Sequence, residues 1–255
     1  MLEKMRSYRF LFSELVKRDF KKKYKRTVLG MVWSILAPLL NVLVLQLVFS
    51  NFFGRNDPTF IIYIFSGTLV MSFYNEATQG CMRGLMANAS IFTKVNVPKI
   101  LFIFSKAVQS FINFGLTLLL YFVFCIVKHM HFGIETFSLI YPILMLLVLN
   151  VGIGMILSVL FVFFRDIEYL YSVFLVLLNY VSAIFYPITI VPAQYQKLFY
   201  LNPVFVFIKY FRMVMMEGVV PGWPIQALCA GYALFFFSIG CLLYKRFNHE
   251  FLYYV

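Results

Sequence analysis

Ten of the 22 Lys and Arg residues of this chain lie in its first 26 positions, and positions 28 to 53 then carry no charge at all. A soluble core helix does not need so long an uncharged run. A bilayer does, because about 20 apolar residues cross its hydrocarbon as a helix while Lys and Arg collect at the headgroups. The edge at Thr27 therefore marks a membrane surface. Composition extends the argument to the whole chain. It is 62% hydrophobic and only 13% charged, with a mean hydropathy of +0.87, whereas soluble domains are about half apolar and a quarter charged. This is the composition of an integral membrane protein. A net charge of +12 then points to anionic lipid headgroups and away from nucleic acid, since the cations are not interleaved with a soluble fold.

Six segments are long and apolar enough to span: about 28–53 (interrupted by Pro38), 60–81, 100–127, 137–164, 169–186 and 225–244. Their length predicts helices, because barrel strands alternate over about ten residues. The expected fold is an all-α integral membrane protein of six transmembrane helices. Six spans put both termini on one side. That side collects the ten initial cations with Arg83, Lys94, Lys99, Arg165, Lys245 and Arg246. The other holds Arg55, Lys128, Lys197, Lys209 and Arg212. Lys106 is left over, near the start of the third segment. Sixteen against five makes both termini cytoplasmic by the positive-inside rule.

Ahead of the first span, Tyr8, Leu11, Phe12, Leu15, Val16 and Phe20 recur at helical spacing. They predict an amphipathic helix in the headgroup plane, within a cytoplasmic unit of residues 1–27. A plain topogenic signal accounts for the same cations equally well. Between spans five and six, residues 187–224 hold two short apolar runs separated by Asn202-Pro203. Such runs predict short re-entrant helices forming an outer gate, because irregular backbone at membrane depth must be buried in protein or line a water-filled path. A surface amphipathic hairpin is the alternative.

Catalytic signatures are missing. There is no phosphate-binding GxxxxGK[ST] loop, no HExxH, no GxSxG and no paired-carboxylate spacing. The four Cys and three His make no cluster suited to a metal or a disulfide framework. Charges inside spans are nearly absent: Glu76 lies toward one end of span two, where it can snorkel, and Arg165-Asp166-Ile167-Glu168 forms a tight turn. A carrier driven by protons or sodium normally needs a carboxylate at the midplane. Its lack argues for energy supplied by a partner. Aromatic residues are plentiful at 20%. Most belong to lipid-facing or interface belts, and a minority suit the stacking and sliding of sugar rings.

Arg18-Asp19, Lys23-Tyr24, Leu29-Gly30, Trp33-Ser34 and Pro38 resemble the opening signature of ABC transporter permeases that export cell-surface polysaccharides, the O-antigen, capsule and teichoic-acid exporters. Thr27 stands where that family commonly has Ser, and Ala37 precedes Pro38 where Asn or Lys is frequent. Further along, the run from Ile91 to Pro98, Arg165-Asp166-Ile167, the run from Ser182 to Pro187, and Asn202-Pro203 with Arg212 resemble later family motifs in the same order. The resemblance covers essentially the whole chain. It implies a homodimer working with two copies of a separate ATPase subunit, which would bind ATP and Mg, so that this chain has no catalytic or metal-binding residues and no cofactor of its own. It implies a polyprenyl-linked polysaccharide as cargo and the bacterial plasma membrane as location.

The resemblance also assigns residues. Arg18, Asp19 and Tyr24 would shape the entrance beside the interface helix. Ile91, Phe92, Lys94, Asn96 and Pro98, within a coupling segment of about 84–99, would seat on the ATPase. Trp33, Tyr180, Phe185 and Tyr186 are candidates for glycan contact, and Asn202, Pro203 and Arg212 for the outer gate. The transmembrane unit would run from 28 to 255. Two rival readings share the composition: a drug or small-lipid exporter permease of the same superfamily, and a membrane-embedded glycosyl- or phosphotransferase. The second needs a carboxylate cluster at the interface, and the ten acidic residues do not cluster.

Overall fold

Long apolar runs leave the backbone one economical way to satisfy its own hydrogen bonds, and the chain takes it: the described residues are helical, with no strand among them. The computed structural model describes the backbone of all residues except 1, 25, 26, 28, 54–58, 96, 131, 253 and 255. Side chains are described for those residues apart from 2–7, 22–24, 31, 49–53 and 252. Lys25, Arg26, Arg55 and Asn96, and the side chains of Lys4, Arg6, Lys22, Lys23 and Tyr24, thus lie outside what is described.

The helices are α1 (Leu2–Tyr24), α2 (Trp33–Phe53), α3 (Phe60–Gly84), α4 (Ala89–Phe92), α5 (Ile100–Val127), α6 (Ile140–Phe163), α7 (Ile167–Val181), α8 (Ala193–Gln196), α9 (Pro203–Met216) and α10 (Trp223–Phe247). Among the described residues, three stretches are long and apolar enough to cross a membrane: Ile100–Val127, Ile134–Phe163 and Trp223–Phe247. The pair Ala193–Leu201 and Pro203–Met216, bent by 106°, would make a fourth.

Local sequence sets the boundaries. Pro98 precedes α5, and α5 ends in a Schellman motif. There His129 takes the left-handed conformation (φ 54°), and the amides of His129 and Met130 donate to Ile126 and Cys125 carbonyls at 3.0 and 2.9 Å. Leu29-Gly30 is a turn as well: Gly30 has φ 52°, which a glycine adopts at little cost, and it leads through a single 3-10 turn into α2.

The centre of the bundle is a face-to-face stack of α3, α5, α6 and α10, with α1 laid across the start of α5. Helix α6 meets α10 backbone to backbone. A Cβ built on Gly152 would stand 2.5 Å from the Phe237 amide nitrogen, and one on Gly240 would stand 2.6 Å from the Gly152 carbonyl oxygen. Small residues allow this approach, and there is no flexible side chain to yield. Gly152→Ala is therefore expected to destabilise the chain by about 2 kcal/mol through overpacking, read as a lowered melting temperature in detergent.

One element differs from expectation, and one alternative reading falls. The fifth apolar segment stays helical only to Val181, five residues short. Ala183 turns left-handed (φ 51°), and residues 182–186 are non-helical. The region after span five is also no surface hairpin: Val204–Ile208, Tyr210–Arg212, Val214 and Met215 are all buried. Its apolar residues go all round the helix because α3, α10 and the turn Ile134–Leu139 enclose it.

Candidate functional site

Two polar stripes run down neighbouring helices of this apolar bundle. On α3, Thr68, Ser72, Asn75 with Glu76, Gln79 and Arg83 follow helical i, i+4, i+7 spacing. On α5, Lys106, Gln109 with Ser110, Asn113 and Thr117 do the same. Between them lie two cavities. The larger, of about 700 Å³, is half open and is closed by Trp33, Asn41 and Val42 of α2, by Asn179 of α7 and by Phe185. The smaller, of about 400 Å³, lies nearer α1 and is lined by Gln79, Arg83, Lys106, Gln109 and Ser110. Asn75 and Glu76 line both. The cavities therefore make one groove, about 22 Å long as measured by the rise of α3 from Thr68 to Arg83. The Asn113 amide donates to Glu76 at 2.5 Å across it. Neither stripe stood out in the sequence, where one or two polar residues at a time interrupt apolar runs; the i, i+4, i+7 spacing is the signal that finds them.

The four residues expected to contact a glycan divide. Trp33 and Phe185 both line the larger cavity. Tyr180 and Tyr186 are not in its lining. Tyr180 is 62% exposed on α7, and its carbonyl accepts a 2.8 Å hydrogen bond from the Tyr186 hydroxyl. The Tyr186 carbonyl accepts in turn from Tyr63 at 2.7 Å. These two tyrosines tie the non-helical end of α7 together.

At the α1 end, Asp19 is buried and holds two cations. Arg18 approaches Oδ1 at 2.8 Å and Lys106 approaches Oδ2 at 2.9 Å. Lys106, unassigned to either side by sequence, is thus the counter-ion that fastens α5 to α1. Arg18 reaches on to Asn88 Oδ1 at 2.7 Å, and Asn88 donates to the Gly84 carbonyl at 2.8 Å. Helix α1 is therefore bonded to the segment expected to couple to an ATPase. In that segment Phe92 points inward, packed on Phe102 at 5.9 Å, while Lys94 and Pro98 are exposed and Ile91 is half-buried. Phe92 anchors, Ile91 packs partly against the same cluster, and Lys94 and Pro98 face outward. Lys99 completes the assembly by donating to the Asn248 carbonyl at 2.6 Å and lying over the Phe92 and Phe251 rings. Burial there lowers its pKa from the ordinary lysine value. Leu15, Phe92, Phe102 and Phe251 share one apolar cluster, so both ends of the chain and the coupling segment meet here.

At the opposite end, Asn202 caps α9, its Oδ1 accepting from the amides of Val204 and Phe205 at 3.0 and 3.4 Å. Pro203 occupies the first helical position, where its missing N–H costs nothing. The Asn202 amide donates to Ser182 at 2.9 Å. Buried Arg212 donates to the carbonyls of Ala183 (2.9 Å), Ile184 (3.1 Å) and Tyr63 (3.2 Å) and to the Ser66 hydroxyl (3.3 Å), and stacks 3.4 Å from the Tyr63 ring centroid. Asn202 and Arg212 therefore converge on the non-helical residues after α7, while Pro203 starts α9. Among the described residues no group of His, Cys, Asp and Glu is placed to hold a metal ion.

Similarity to known proteins agrees with this arrangement. The chain is 27% identical to the O-antigen export system permease protein RfbA of Myxococcus xanthus, over 90% of each chain. It is 26% identical to a protein of the same name from Klebsiella pneumoniae, over 83% of each. It is 24% identical to the polysialic acid transport protein KpsM of Escherichia coli, over 89% of this chain and 90% of that one. The sequence model described as ABC-2 type transporter matches residues 11–216. A multi-pass membrane chain with a polar groove between its helices thus belongs to the ABC-2 type transporter family.

Proposed function

We propose that this chain is the membrane-spanning subunit of an ATP-driven exporter that moves lipid-linked cell-surface polysaccharide out of the cytoplasm across the bacterial plasma membrane. Two copies form the path, and two copies of a separate ATP-binding subunit, which hold the ATP and its magnesium, drive it. The observation that carries this reading is the polar groove. An apolar bundle has no packing reason to turn two stripes of amides and hydroxyls toward each other, whereas a hydroxyl-rich chain crossing the membrane needs them. In this reading α2, α3, α5, α6, α7 and α10 are the six spans, and both termini are cytoplasmic. The relatives named for O-antigen export and polysialic acid transport support a glycan over a drug or a small lipid as cargo.

Each part of the site then has a role. Helix α1 lies at the membrane surface beside the lateral entrance, with the exposed Arg9, Lys17 and Lys21 facing headgroups. Ile91, Lys94 and Pro98 meet the ATPase, and Phe92 passes that push into the apolar cluster shared with α1. Trp33 receives the glycan at the near end of the groove, and Asn202 and Arg212 hold the far end. The test is co-purification with the cognate ATPase, followed by ATP hydrolysis measured with lipid-linked glycans. Stimulation is expected, with two copies of each chain in the complex. Trp33→Ala is expected to slow export several-fold while leaving the amount of folded protein unchanged; unaltered surface glycan in that variant would remove Trp33 from the path.

A further inference from the structure

We infer that the turn after α10 fastens the coupling segment to the α6–α10 pair, with Phe251 positioning the joint and Lys99 tying it, so that a push on that segment moves the pair. The ATPase and its push come from the export reading above; the fastening comes from the geometry. Around the end of α10, Lys245, Arg246, His249 and Glu250 are exposed. Phe251 is not. The short 3-10 turn Glu250–Leu252 brings its ring back inside, where it is fully buried.

There the ring meets both sides of a junction. On one side are the ends of α6 and α10: Phe163 and Tyr244 have ring centroids 6.4 and 5.8 Å from that of Phe251, and Phe163 packs on Phe247 at 5.3 Å. On the other side is the coupling segment. Phe92 belongs to the same apolar cluster as Phe251, and Lys99 Nζ lies 5.5 Å from the Phe251 centroid and 5.8 Å from that of Phe92.

Space filling does not account for Lys99. An ammonium drawn away from water costs free energy, and an apolar side chain packs against two rings as well. The ammonium adds direction. It donates to the Asn248 carbonyl at 2.6 Å, and Asn248 is the C-terminal cap of α10, where the helix dipole leaves partial negative charge. Asn248 is itself held by Tyr244, whose hydroxyl donates to its Oδ1 at 3.0 Å. Lys99, immediately ahead of α5, thus grips the end of α10 by a hydrogen bond, a charge and two ring faces. Because Gly152 and Gly240 bring α6 and α10 backbone to backbone, a grip on α10 holds both.

The test uses the full chain, expressed with its cognate ATPase in cells lacking their own copy of it. Two quantities are read: the cells' own glycan at their surface, and ATP hydrolysis by the complex purified from the same cells, each per folded chain. Phe251→Ala is expected to leave ATP hydrolysis within about twofold and to cut surface glycan at least about fivefold. Phe251→Leu, which restores apolar volume, should return most of the export. Lys99→Met, which keeps length and removes charge and donor, should split the two readouts in the same way. The double variant should lose no more than the worse single one, because both changes break one link. Unchanged glycan overturns the inference. So does glycan that falls only in step with ATP hydrolysis or with the amount of folded chain, as a purely structural role would give, or a double variant that loses the product of both single losses. If Phe251→Ala fails to fold, Lys99→Met at its half-buried position decides. An unaltered chain that brings down no ATPase, or whose deletion leaves surface glycan intact, removes the export reading; variants that keep glycan and ATP hydrolysis in step remove this inference alone.

Discussion

Asp19→Asn is expected to remove about 3 kcal/mol of stability, enough to shift most of the protein from a single folded species to aggregate in detergent. The carboxylate is 3% exposed and the Lys106 side chain 21%, so removing the negative charge leaves a largely buried ammonium with no described counter-ion, and also releases Arg18. The cost comes from that stranded charge more than from loss of an attractive pair. The argument makes a second demand. Asp19→Leu combined with Lys106→Met, which removes both charges at similar volume, should recover most of the loss. If the double variant melts as low as Asp19→Asn, the charge pair is not what holds α1 on α5. Arg18, 45% exposed on its side chain, should matter much less to stability when changed to Gln, because water replaces its partners.

Arg212→Lys is expected to be nearly as damaging, at about 2–3 kcal/mol, although it conserves charge. The guanidinium satisfies three backbone carbonyls and a hydroxyl at once, in a planar fork that an ammonium on a flexible stem cannot copy. Two of those carbonyls, Ala183 and Ile184, belong to the non-helical end of α7, where the backbone is freed from its helical partners within an apolar bundle. Ala183 also carries the strain of a left-handed conformation, of order 1 kcal/mol. Without Arg212 this stretch should open, read as faster proteolysis near residues 182–186 and a lower melting temperature. Arg212→Lys with unchanged proteolysis would show that the Tyr63 and Tyr186 bonds hold the segment unaided.

How much of this could be read from the sequence varies by element, for physical reasons. The third segment was legible to the residue: a continuous apolar run bounded by Pro98 and by the Lys128-His129 end is α5, Ile100–Val127. Asn202-Pro203 was legible as a break because capping chemistry is local. The end of the fifth segment was not. Residues 182–186 are nearly as apolar as what precedes them, and the hydrogen bonds that let the helix stop early come from distant residues, Arg212, Tyr63 and Asn202. The groove was illegible for a related reason. Asn75 and Asn113 lie on separate helices, and neither sequence window shows that α3 and α5 face each other. Lys106 looked like a topological anomaly until Asp19, 87 positions earlier in the numbering, stood 2.9 Å from it.

The interlock of α6 and α10 at Gly152 and Gly240 divides the molecule into a frame and its moving parts. Two backbones in direct contact cannot slide without climbing over each other's atoms, so this pair behaves as a fixed post. Helix α7 buries only Tyr171, Leu175 and Leu178, and α2 leaves Leu40, Leu43, Val44 and Leu47 exposed. Any widening of the groove to pass a bulkier chain must therefore come from α2 and α7 swinging away from that post, like shutters on a jamb.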